Sequence, residues 1–257
     1  MFMKKLFHLN NKKLFFKVLC LSVVVYLLFA ANIPNISISV KAKVASSSNK
    51  FAIKDFALGK SRQVILVQAS SASSVHVKYK TYEKDSNDNW KLKLSTIGVV
   101  GKKGVSANRH EGDLTTPEGI YGFLFAFGRA SNPGTKMQYR KTHPGDYWVS
   151  TRKQYNLWVK YKSNPNTKFG RGNYEDLYAT SLYKYAAALD FNYGKNKIIG
   201  KGSAIFMHIA PHSGRGTAGC IGISEKSLVK VLKWMDPKKN PKIIIGTTAY
   251  LNKLAKH

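Results

Sequence analysis

Apolar and polar residues alternate over residues 74–84 (SVHVKYKTYEK), putting Val75, Val77 and Tyr79 on one side of the chain. A period of two is the mark of a half-exposed β-strand. A short apolar run, Val64–Val67, precedes it. The turn formers DSNDN (85–89) follow, and alternation resumes in WKLKLSTIGVVG (90–101). These segments predict an antiparallel hairpin or meander. Residues 101–119 are dense in turn formers, and Ile120–Phe127 reads as an aromatic-rich strand. From Arg129 to about Tyr178 the pattern is irregular, with Asn132-Pro133-Gly134, Pro144-Gly145 and Asn164-Pro165-Asn166 as breaks. A structureless loop of that length points to a lid or a substrate wall. Its Trp148 and Trp158 suit core packing or ligand stacking. Tyr183–Phe191 and Ala204–Ile209 read as strands, the second one buried. Ser224–Met235 has apolar residues at Leu228, Val229, Val231, Leu232, Trp234 and Met235. With Ser224 as N-cap and Asp236-Pro237 as the stop, it predicts an amphipathic helix. Ile243–Ile245 is the expected last strand. Residues 62–250 are therefore expected to form one mostly-β domain with one clear helix, behind a polar, Ser-rich linker at 43–61.

The first 42 residues follow a different pattern. Lys4, Lys5, Lys12, Lys13 and Lys17 precede an uncharged apolar run from Val18 to Ala31, and Val40-Lys41-Ala42 offers small residues for cleavage after Ala42. Basic, apolar, small is the order of a secretory signal peptide. The run is shorter than the roughly 20 residues of a spanning helix, which favours cleavage over a retained signal anchor. The expected location is extracytoplasmic, at the cell wall.

Charge gains meaning from that expectation. The chain carries 42 Lys+Arg against 13 Asp+Glu, a net +29; without residues 1–42 it keeps 36 bases against the same 13 acids, a net +23. So basic a surface fits a polyanionic partner. Export argues against nucleic acid and leaves anionic wall polymers or lipid headgroups.

Cleavage would also remove Cys20, leaving Cys220 as the single cysteine. A lone thiol in an exported chain staples nothing. It is either a buried apolar filler or a reactive group. Its neighbourhood is FMHIAPHSGRGTAGCIGIS (206–224). His208, at the end of a strand, can take the thiol proton. Gly216 and Gly219 permit tight turns, and the backbone N–H groups near Gly219, Cys220 and Ile221 suit an oxyanion hole. A zinc site from His208, His212 and Cys220 is the alternative. Pro211 between the histidines and the lack of an evident fourth ligand count against it.

Thr217-Ala218-Gly219-Cys220-Ile221 downstream of His208 resembles the signature of L,D-transpeptidases of the YkuD type, in which Ser/Thr-His-Gly-Cys follows a glycine-rich loop. Thr115-Thr116-Pro117-Glu118-Gly119 is similar to that family's Thr-Pro-x-Gly turn. The resemblance implies a β-sandwich with Cys220 as nucleophile, His208 as base and Gly219 in the oxyanion hole, with no cofactor and no metal. It implies peptidoglycan stem peptides as substrate and a 3–3 cross-link as product. An L,D-carboxypeptidase using water as acceptor shares the same thioacyl-enzyme, and a non-catalytic basic wall-binding module is the alternative from another class. Ala218 stands where many members have a second His, and Gly222 where many have Arg or Asn. His212, Ser213, Arg215 and Thr217 are the expected substitutes for those lost polar contacts.

Overall fold

The computed structural model describes residues 49–255. Residues 1–42, and with them the expected cleavage site and Cys20, lie outside them. The predicted meander is present: β1 (Gln63–Ala69), β2 (His76–Lys84) and β3 (Trp90–Val99) pair antiparallel in sequence order. Asp85 shapes the turn between β2 and β3, its Oδ1 accepting the N–H groups of Asn87 and Asn89 at 2.9 Å each. Short β4 (Val105–Ser106) and β5 (Thr116–Pro117) pair with each other. The strand expected at 120–127 is two strands, β6 (Gly119–Tyr121) and β7 (Phe123–Gly128). They divide at Gly122, whose N–H donates to Asp190 Oδ1 at 2.8 Å.

Residues 129–178 are not the structureless loop their sequence suggested. They hold β8 (Tyr139–Lys141), β9 (Asp146–Val149), β10 (Leu157–Lys160), the single-turn helix α1 (Pro165–Phe169) and β11 (Tyr174–Asp176). Strands β10, β9 and β11 make a small antiparallel sheet of their own. Strands this short show no periodicity in the sequence. What holds them is a hydrophobic cluster of Tyr147, Val149 and Phe169, with Val159, Tyr161 and Tyr174 packed against it.

The strand expected at 183–191 is shorter. A 3-10 turn over Ser181–Lys184 comes first, and only Ala186–Leu189 forms β12. Then follow β13 (Phe206–Ile209), β14 (Ile221–Ile223), the expected helix α2 (Glu225–Trp234), β15 (Lys242–Thr247) and a further helix α3 (Thr248–Leu254). Ser224 caps α2 as foreseen, its side chain accepting from Ser227 N.

The large sheet runs β6-β15-β1-β2-β3-β14-β13-β12-β7-β8. Within it β1 is buried on both faces, which is why it reads as a near-continuous apolar run, whereas β2 and β3 keep one face in water. Ile65 and Val67 face a core shared with Leu228, Val231 and Leu232 of α2. Val64 and Leu66 face a second core with Ile244 and Leu251 of α3. That second core includes Ile53, Phe56 and Leu58, from the stretch read as a polar linker. Farther along the sheet the same parity separates two layers. Ala126, Ala187 and Met207 join the α2 core. Phe125, Phe127, Ala186, Ala188 and Phe206 face the small sheet, where Trp148 and Cys220 join them. The molecule is mostly β, as expected, and the thiol sits where the small sheet covers the large one.

Candidate active site

Strands β13 and β14 are parallel neighbours, with Met207 level with Ile221 and His208 level with Gly222. A parallel pair needs a crossover, and residues 210–220 supply it. The register puts Phe206 beside Cys220, and His208 two positions along on the same face. Gly222 has no room for a side chain, since a Cβ there would come within 2.9 Å of Ala210 Cα and Val99 Cγ2. That explains why no polar residue stands after the cysteine.

The Cys220 loop is fixed by threonines. Thr116 Oγ1 donates to Gly219 O at 2.7 Å and accepts Gly101 N–H at 2.9 Å. Thr217 Oγ1 donates to Cys220 O at 2.7 Å and accepts Gly219 N–H at 3.0 Å. The two sequence motifs thus meet, and the Thr-Pro turn serves to hold the cysteine loop. Gly219 has φ +142, and a Cβ on it would sit 2.9 Å from Thr115 O. Its N–H is occupied by Thr217, so Gly219 contributes a conformation and not a free oxyanion donor. Ile221 is buried in the α2 core. Cys220 N–H makes no hydrogen bond among the described residues, which makes it the donor available to an oxyanion.

Cys220 Sγ accepts from Phe206 N at 3.3 Å and donates to Ala204 O at 3.2 Å. Burial pushes this thiol well above its ordinary range, and the Glu175 carboxylate adds to the shift. Phe206 N–H, the Arg109 charge and the Tyr183 hydroxyl act against it. Burial pushes His208 down to about 4. Its Nδ1 lies 2.7 Å from Ile209 O. A carbonyl only accepts, so Nδ1 carries the proton and Nε2 carries the lone pair. The resting pair is therefore a neutral thiol and a neutral imidazole. No hydrogen bond joins them among the described residues. Tyr183 links their surroundings instead. Its ring meets His208 edge-on, with centroids 5.3 Å apart, and its hydroxyl hydrogen-bonds Glu175. Catalytic hydrogen bonds are often long before substrate binds.

Cys220 lines a cavity of about 160 Å³ together with Ala218, Ala204, Arg109, Glu175 and Trp148. Of the substrate contacts expected from sequence, none lines it. His212, Ser213 and Arg215 are exposed in the crossover. Thr217 is buried and spent on the loop. His212 also stands apart from the buried pair, and among the described residues no three metal-ligating side chains converge. Sequence reasoning missed Arg109, Glu175 and Tyr183. Arg109 lies six residues before the Thr115–Gly119 turn. Glu175 lay inside the presumed loop, where only its scarcity in so basic a chain could have marked it.

A thiol this protonated gives a direct prediction. Alkylation of Cys220 by iodoacetamide, followed by intact mass, should rise about tenfold per pH unit from pH 6 to 9. A plateau inside that window means a preformed thiolate and contradicts the neutral resting pair.

The profile of the L,D-transpeptidase catalytic domain, YkuD, matches residues 72–245. Two crystal structures of the helical cell shape determining protein Pgp2 from Campylobacter jejuni, one a point mutant, are similar in fold. They align at TM-scores of 0.37 and 0.38 with 17% and 16% identity, over 72% and 73% of this chain. The chain spans only 48% and 47% of those proteins. No curated protein matches the sequence.

Proposed function

The chain belongs to the YkuD family of L,D-transpeptidase catalytic domains, and on that premise we propose that it is an exported acyltransferase acting on peptidoglycan stem peptides through a Cys220 thioester. The observation that carries this reading is the placement of Cys220. The one free thiol among the described residues forms part of the wall of a cavity, on the same sheet face as a histidine whose Nε2 is free to accept a proton.

As the stem peptide's carbonyl approaches, Nε2 of His208 takes the proton from Sγ and sulfur attacks the carbonyl of the diamino acid before the terminal D-Ala. Proton and bond move together, because burial disfavours a separated thiolate–imidazolium pair. Cys220 N–H stabilises the oxyanion, an interaction of about 3–4 kcal/mol in a dry site. The C–N bond then breaks, and D-Ala leaves with the proton from His208. The side-chain amine of a second stem gives up a proton to His208 and attacks the thioester. A 3–3 cross-link forms and the thiol regains its proton. The basic, apolar and small segments of residues 1–42 support export, and the net +23 that remains without them supports attraction to anionic wall polymers or lipid headgroups.

Incubation with disaccharide-tetrapeptide and analysis by mass spectrometry tests this. A 3–3 dimer is the expected product. Tripeptide alone means water is the acceptor and the enzyme is an L,D-carboxypeptidase. If neither product appears and Cys220 carries no adduct, the chain is a binding module.

A further inference from the structure

Arg109 is the charged group that this mechanism leaves unused. Its side chain is 3% exposed and borders the Cys220 cavity. Nη2 donates to His110 O at 3.3 Å. Nε and Nη1 have no hydrogen-bond partner among the described residues. The acid beside it does not fill them. Asp113 Oδ1 is 3.8 Å from Nε, beyond hydrogen-bond reach, and the Asp113 oxygens are taken by His110 N, Thr115 N and Thr115 Oγ1. Glu111 is held by Tyr155 and Glu175 by Tyr183. Burial pushes Glu175 up, toward its neutral form.

Two glycines make room for this guanidinium. A Cβ on Gly202 would fall 2.7 Å from Arg109 Cζ, and one on Gly219 would fall 3.3 Å from Nη1. The ring of Phe191 lies 5.7 Å from Cζ. The slot holds the cation in one pose beside the residue that precedes Cys220. A buried charge with open donors is costly unless an anion completes it, and planar guanidinium donors match a carboxylate. The geometry points to Arg109 as the receptor for a ligand carboxylate next to Cys220. On the stem-peptide reading, on which this assignment of the ligand rests, that carboxylate belongs to the acyl donor. It is either that of the departing residue or that of the diamino acid.

Two measurements test it on the full chain. The first compares Cys220 alkylation by iodoacetate and by iodoacetamide. The anionic reagent should be favoured in the unsubstituted protein, and Arg109→Gln should lower the iodoacetate-to-iodoacetamide rate ratio by about tenfold or more. Arg109→Lys should keep part of it. If Arg109 only braces the loop, both rates change alike and the ratio stays, which overturns the assignment. The second uses the unsubstituted protein and needs no variant to fold. Donors amidated at the departing residue or at the diamino acid are compared with the free acid. One of the two should raise KM by about tenfold, identifying the carboxylate. Equal turnover of all three overturns the assignment. A ratio that falls in Arg109→Gln, in a protein that consumes no stem peptide, keeps the carboxylate receptor and removes the proposed substrate.

Discussion

Cys220→Ser should abolish stem-peptide turnover, lowering it by about 10⁴-fold or more, while the protein stays folded. The sulfur lies among Phe125, Phe127, Phe206 and Trp148, and its two contacts are a backbone donor and a backbone acceptor. A serine hydroxyl can serve both, so packing and hydrogen bonding survive. What is lost is a nucleophile that can transfer its proton at accessible cost. Product formation by mass spectrometry, beside a thermal unfolding curve, separates the two. Turnover within tenfold of the unsubstituted protein at an unchanged Tm would falsify the nucleophile assignment.

His208→Gln should have two separable effects. Turnover should fall about 10²–10⁴-fold, the usual contribution of a positioned base. Stability should change its dependence on pH. In the folded state burial holds His208 at about 4, whereas an unfolded chain has a histidine near 6.5. Between those values the unfolded state binds more protons, so stability rises with pH. The contribution is fully present above about pH 6.5 and is lost as pH falls to about 4, on the order of 3 kcal/mol. Glutamine does not titrate. The difference in urea midpoint between the two proteins should therefore narrow or reverse across that window. The partnered carboxylates of Glu83 and Asp113, both held low, titrate in either protein and cancel. A pH-independent difference places the His208 imidazole in water and contradicts its burial.

Legibility from sequence varied with the range of the force involved. The β2–β3 hairpin was readable because its period of two and its Asp85 turn are local. Helix α2 was readable because its cap and apolar spacing lie within a few turns. The small sheet was not. Its strands of three or four residues are held by contacts such as Trp148 on Phe206, with centroids 5.0 Å apart, and no local pattern encodes them. The C-terminal helix α3 was missed for the same reason: its Leu251 is buried against β1 and residues 53–58, far off in sequence.

By itself the sequence determined that Cys220 is the one cysteine beyond residue 42, that His208 lies near the end of a buried strand, and that two motifs flank one chemistry. These follow from counting and spacing. Only the tertiary structure decided what surrounds the thiol. It withdrew His212, Ser213 and Arg215 to an exposed crossover and spent Thr217 on holding the loop. It brought in Arg109, Tyr183 and Glu175 from three separate segments. Polarity around a buried sulfur comes from whichever side chains the packing leaves without water, and that is a property of the closed core, not of the neighbouring residues along the chain.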